Sequence, residues 1–253
     1  MSKSAILLVV LGACAVESGN GSPADTNVPR IAVNSLSPSA LAASGLTTAT
    51  LDAASAAAMG QTASARQVLA YAAGCALGAD QTVSYAVEGA TTATTLQGSM
   101  GIAPAWTSRS LTASEAAWVS ACVLARVNLT SQPVQISARG DEAGLATTIA
   151  ERADYQIEEG AFWGNAFIDL GSVNAYACNG VDQAADDSYG DLPLRQCAQP
   201  DGVTGSNLTP CGFHYAGLCG SACGTGSPYA GCAFLGGAAH TEVVTSFLAG
   251  APQ

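Results

Sequence analysis

The chain has almost no lysine: of its 253 residues only Lys3 carries an ammonium side chain, and seven arginines supply the rest of the positive charge. Lys3 lies in a segment read below as a cleaved leader. Without it, a lysine Schiff base, a P-loop lysine and the kinase or Ser-Lys mechanisms are all excluded, because each needs an amine inside the fold. Histidine is nearly as scarce, with His214 and His240 alone. A three-histidine zinc site and an HExxH helix are therefore both impossible. Charge of either sign is thin at 11% of residues, and 8 basic against 19 acidic residues leave −11. That balance argues against nucleic acid or an anionic membrane surface as a partner. No CxxCH occurs, which excludes covalent c-type haem, and no GxSxG elbow occurs; GTGSP at Gly224–Pro228 resembles one only superficially.

What is present is hydrophobic residue, at 49% of the chain. At this length that suffices for one large domain or two small ones with a buried core, and it excludes a disordered tail or a coiled coil.

The first fourteen residues read MSKSAILLVVLGAC. A positive start, through the amino terminus and Lys3, precedes the apolar run Ala5–Leu11, then small residues and a cysteine. The run falls far short of the roughly 20 apolar residues that span a bilayer as a helix. Leu11-Gly12-Ala13-Cys14 resembles the lipobox of bacterial lipoproteins. The resemblance covers only this leader. It implies cleavage of residues 1–13, diacylglycerol on Cys14 and acylation of the new amino terminus. Ala15 in place of aspartate after the cysteine implies an outer-membrane destination, periplasmic or surface-exposed. Several acyl chains on one residue anchor firmly where a single chain does not. The mature charge would be seven arginines against nineteen acids, −12.

Within residues 14–35 the stretch Glu17–Pro29 is polar and rich in Gly, Ser, Asn and Pro, without a hydrophobic period. A flexible coil of this kind, about 15 residues long, reaches on the order of 20 Å. It reads as a tether between lipid and domain.

The expected fold class is α+β: alanine-rich helices packed with a small antiparallel sheet over residues 36–170, then a loop-rich, disulfide-stapled part over 171–253 packed on that core as one domain. Helix signals are dense in the first part. Ser37-Pro38 starts a helix that Gly45 stops, Thr48–Met59 is closed by Gly60, and Ala63–Leu77 ends at Gly78. Thr112-Ala-Ser-Glu115 is a capping box, with Trp118, Cys122 and Ala125 on one stripe behind it. Val83, Tyr85 and Val87 alternate with polar or small residues and predict a hairpin with the threonine-rich run up to Leu96; Val134–Ser137 predicts another strand. Tyr155–Ile168 holds Tyr155, Phe162, Trp163 and Phe167, the densest aromatic cluster, and reads as a strand leading into a buried loop.

Eight cysteines remain after Cys14: Cys75, Cys122, Cys178, Cys197, Cys211, Cys219, Cys223 and Cys232. An even count in an exported chain predicts four disulfides. Cys75 and Cys122 lie on the inner faces of predicted helices with the other six far downstream, so they are expected to pair. Cys178–Cys197 is a second, weaker pairing, and the last four stay unassigned. Cys211-x2-His214-x4-Cys219-x3-Cys223 has a spacing that a tetrahedral zinc could use, but zinc needs thiolates and an oxidising compartment removes them. No metal or other cofactor is expected.

Candidate catalytic groups are few. His214, amid the cysteines, reads as packed or half-exposed, and His240 as a surface residue. Glu158-Glu159 beside the aromatic cluster is the one place suggesting a glycosidase-like acid. Adjacent residues on a strand face opposite sides, so one is expected buried and the other solvated, with Asp141 or Glu142 as a distant second acid. Asp182, Asp186, Asp187 and Asp191 form an acidic loop that could hold calcium weakly but lacks the EF-hand spacing. Asn128 and Asn207 begin glycosylation sequons, disregarded behind a bacterial-type leader.

Two functions follow. The first is a non-catalytic, lipid-anchored acidic module that meets a protein or glycan partner and no nucleic acid. The second is a secreted hydrolase using a carboxylate pair or His214, with the 155–168 aromatic rings lining a cleft.

Overall fold

The computed structural model describes residues 38–54, 63–86, 91–127, 135–168, 174–180 and 212–249. The leader, Cys14 and the tether lie outside the described residues, as do the four aspartates at 182–191, both sequons, Cys197 and Cys211.

Helices α1 (Pro38–Ser44), α2 (Thr48–Ala54) and α3 (Ala63–Ala76) begin the fold. Gly45 ends α1 in the left-handed region at φ 71°, the conformation that glycine adopts without a Cβ penalty. Its successor Leu46 donates a backbone hydrogen bond to the Trp106 carbonyl and is fully buried. The predicted hairpin forms between β1 (Thr82–Tyr85) and β2 (Thr94–Gln97), antiparallel with Val83 opposite Leu96, and Val83, Tyr85 and Leu96 face the core.

α4 (Ala113–Leu124) starts as the sequence predicts. The Thr112 hydroxyl accepts from the Glu115 amide, and the Glu115 carboxylate accepts from the Thr112 amide. Arg109 adds a two-pronged ion pair at 2.7 Å to both Glu115 oxygens. The Arg109 guanidinium, together with the Thr112 donors, holds the Glu115 carboxyl down to about 2. A carboxyl depressed in the folded state stabilises at pH values above its unfolded range near 4.5, and that stabilisation is lost as pH falls towards 2. Glu115→Gln keeps the capping acceptor and removes the partly exposed Arg109 ion pair, so it is expected to cost about 0.5 kcal/mol near pH 7. Urea melts of variant and wild type should converge by pH 2.

Seven strands are described in all. β3 (Ile136–Arg139), β4 (Tyr155–Gly164), β5 (Ala175–Asn179), β6 (His214–Leu218) and β7 (Val243–Ala249) form one sheet in the order β3-β7-β4-β5-β6. All its pairings are antiparallel except β5 with β6. Short α5 (Ile149–Asp154) leads directly into β4, and a single turn, α6 (Cys219–Ala222), follows β6. Strands from both sides of Gly171 thus share one sheet, with β7 inserted between β3 and β4.

The period of two along these strands divides the core. Phe162, Ala175, Ala177 and Val244 join Trp118, Val119 and Cys122 of α4 on one face. Ala161, Trp163, Cys178 and Val243 join Cys219, Tyr229 and Cys232 on the other. Both faces are covered, which is why β4 reads as an unbroken apolar run from Gly160 to Gly164 rather than as an alternation.

Candidate functional site

Three disulfides are formed among the described cysteines. Cys75–Cys122 joins α3 to α4 with a Cα separation of 6.0 Å, as the helix faces predict. Cys178, however, pairs with Cys219 rather than Cys197, at a Cα separation of 4.9 Å. The reason is a long-range pairing: β5 and β6 run parallel with Asn179 opposite Leu218, so the end of β6 lies alongside the Cys178 end of β5, and Cys219, where the chain leaves the strand for α6, comes within bridging distance. Cys223–Cys232 closes a nine-residue step, in which the Ala233 amide donates to the Ala222 carbonyl and draws the two cysteines together.

These bonds commit Cys219 and Cys223, two members of the zinc-compatible spacing set aside above, and Cys211 lies outside the described residues. The fourth member, His214, lies in an aromatic stack. Its ring is 5.8 Å from Tyr176 and 5.3 Å from Phe234, nearly parallel to both. Burial in that stack lowers the His214 pKa, since the charged imidazolium loses hydration. His240 is half-buried and not a free surface residue. Its backbone pairs with Cys232 in both directions, and its ring lies 5.8 Å from the same Tyr176. Trp163 closes the stack from beneath at 5.8 Å from Tyr176. The convergence of both histidines on Tyr176 is invisible in the sequence, because β5, β6 and the 232–240 segment meet only through the sheet and the disulfides.

Glu158 and Glu159 are both buried, a correction to the expectation of one solvated carboxylate. The register between β4 and β7 slips there: Glu158 lies opposite Phe247 and Gly160 opposite Ser246, which leaves Glu159 as the extra residue of a bulge. Each carboxylate has its own hydroxyl donors. Tyr229 donates to Glu158 Oε1 and Ser227 to Oε2, both at 2.7 Å. Ser246 donates to Glu159 Oε2. The serine of the GTGSP segment is thereby placed against a carboxylate and not against a histidine.

Asp141 is exposed and Glu142 half-buried, just past the end of β3. Glu158 is level with Phe247 and Ser137, whereas the chain beyond Arg139 continues towards the level of Val243. Four residues of strand, roughly 13 Å, and two strand spacings separate the levels. The register therefore does not bring the proposed second acid to the first. The aromatic residues of 155–168 also diverge: Phe162 meets Phe213, Trp163 meets Tyr176, and Phe167 meets Trp106.

The chain matches no protein family model, no curated protein and no solved structure. The residues therefore carry the functional reading alone. Among the described residues no helix is long and apolar enough to cross a membrane.

Proposed function

We propose that this chain is a non-catalytic, disulfide-stapled acidic module that a lipid on Cys14 holds at a bacterial outer membrane, where it contacts a protein or glycan partner. The observation that carries the non-catalytic reading is the treatment of Glu158. It is the best-placed acid of the sequence, and each of its oxygens is occupied by a hydroxyl of the fold itself, from Ser227 and Tyr229. A general acid instead needs to be within reach of a substrate oxygen and in sight of a second carboxylate. The histidines support the same reading, because both rings pack against Tyr176, His214 stacked and His240 tilted. The disulfides favour export, since such bonds persist in oxidising compartments and are rare in reducing ones.

The membrane half of the proposal rests on MSKSAILLVVLGAC and the tether behind it. Membrane fractionation of cells expressing the full chain and its Cys14→Ser variant tests it. Wild type is expected in the outer-membrane pellet, released by detergent and not by salt, and the variant is expected to leave that pellet. Equal pelleting of both would contradict the lipid anchor. Turnover of a chromogenic glycoside or ester by wild type, abolished by Glu158→Gln, would contradict the non-catalytic half.

A further inference from the structure

Two disulfides of the C-terminal part lie against each other. Cys178 Sγ is 3.6 Å from Cys223 Sγ, although each is bonded elsewhere, to Cys219 and Cys232. The sulfurs of Cys178, Cys219 and Cys223 all lie within 4.8 Å of one another. Their exposure differs. Cys178 and Cys219 are fully buried and Cys232 nearly so, while Cys223 is half-buried at the end of α6. Exchange requires a thiolate to reach a disulfide sulfur, so access decides which bond is attacked first.

We propose that these four cysteines form a thiol–disulfide relay, in which Cys223 is the entry point for a dithiol reductant and passes the exchange on to the buried Cys178–Cys219 bond. The thiolate of the external dithiol attacks Cys223 Sγ, forms a mixed disulfide and releases Cys232 as a thiolate that takes up a proton. The second thiol of the reductant then displaces Cys223, so the reductant leaves as its own disulfide and the protein has gained two electrons and two protons. Cys223 is now free of Cys232 and can turn about its Cα–Cβ bond, which it needs, because the three sulfurs are too close together for an in-line approach from its bonded position. Its thiolate attacks Cys178 Sγ, the Cys178–Cys219 bond breaks, a Cys178–Cys223 bond forms, and Cys219 leaves as the thiolate. This second exchange consumes no further reductant.

The outcome is mechanical as well as chemical. Cys219 and Cys223 are one helical turn apart, with the Cys223 amide donating to the Cys219 carbonyl at 2.7 Å. Moving the link from one to the other slides the attachment of β5 along the α6 segment by about 6 Å, at 1.5 Å per residue. Apart from the dithiol reductant the relay needs nothing else, neither the lipid on Cys14 nor the proposed protein or glycan partner.

The test treats the full-length oxidised chain with one equivalent of dithiothreitol at pH 8, quenches with acid at intervals, alkylates and maps peptides. Label is expected first on Cys223 and Cys232. Label on Cys223 is then lost as label on Cys219 is gained, with a Cys178–Cys223 peptide appearing and Cys178 unlabelled throughout. Label on Cys197 and Cys211 is followed separately. Label that stays on Cys223 without reaching Cys219 would overturn the relay, and so would Cys178 and Cys219 becoming labelled together. The Cys232→Ser variant gives a second reading, because it leaves Cys223 as a resident thiol without added reductant. Alkylation shared between Cys219 and Cys223 supports the relay; alkylation confined to Cys223 contradicts it.

Discussion

Replacing both Cys75 and Cys122 by alanine is expected to lower the unfolding free energy by roughly 4 kcal/mol, the chain-entropy value for a loop of this length. The bridge has a sequence separation of 47 residues and holds α3 against α4, and both sulfurs lie at zero exposure within the helix-side core. The loop it closes contains the β1–β2 hairpin and the Pro104–Thr107 turn, so reduction loosens everything between the two helices in the unfolded chain at once. For a domain of this size the loss corresponds to a melting temperature lower by about 10 °C. Urea denaturation of the double variant, with unchanged far-ultraviolet circular dichroism in the absence of urea, reads the effect. Equal midpoints for variant and wild type would show that the helices hold together without the bridge.

Trp163→Ala is expected to cost about 4 kcal/mol, within the range for emptying a buried indole site. Trp163 is completely buried on β4, on the face that carries Cys178, Cys219 and Tyr229, and its ring stacks on Tyr176. Its removal therefore opens a cavity beneath the stack that also holds His214 and His240. The indole N–H makes no hydrogen bond among the described residues. Trp163→Phe, which keeps an aromatic ring and discards that donor, should accordingly cost about 1–2 kcal/mol, a part of the alanine effect set by the smaller lost volume. Paired urea melts of the two variants check the ordering. Equal losses would assign the role of Trp163 to something other than ring packing.

The parts of this fold that were legible in the sequence are those governed by neighbours within a few residues. The capping box at Thr112–Glu115, the stop at Gly45 and the helical stripe carrying Cys122 are local devices, and each forms as its residue types dictate. The Cys75–Cys122 bridge could be read because each cysteine sits on the inward side of a recognisable helix. The strand character of Tyr155–Gly164 was readable too, but its position in the centre of the sheet was not. That position depends on β7, which arrives from eighty residues later in the chain. The same long-range pairing misled two expectations. Proximity in sequence favours Cys197 for Cys178, yet the parallel β5–β6 pairing brings the chain leaving β6, with Cys219, to it. Strict alternation leaves one of Glu158 and Glu159 in solvent, yet both faces of β4 are covered here, and at the bulge Ser246 meets Glu159 while Ser227 and Tyr229 meet Glu158. A bulge shifts one residue out of phase, and no composition or spacing signal at Glu158-Glu159 marks it.

The polar interior follows from the same geometry. Glu158, Tyr229 and Ser227 meet because the 227–229 segment is laid across the sheet, where the Tyr229 amide also donates to the Thr245 hydroxyl on β7. A buried carboxylate with a donor on each oxygen resists removal of either partner, since the remaining group would keep its desolvation cost without its bond. These bonds give the acid a place in the packing that composition does not reveal.

Export and oxidation together are the premise on which the rest depends, and mass spectrometry of the protein isolated from its own membrane tests them in one measurement. The intact mass is expected to correspond to a chain beginning at an acylated Cys14. A peptide map prepared without reductant is expected to contain the linked pairs Cys75–Cys122, Cys178–Cys219 and Cys223–Cys232, with no cysteine open to alkylation. A chain that retains residues 1–13 and takes up alkylating reagent at all of Cys75, Cys122, Cys178, Cys219, Cys223 and Cys232 would contradict it.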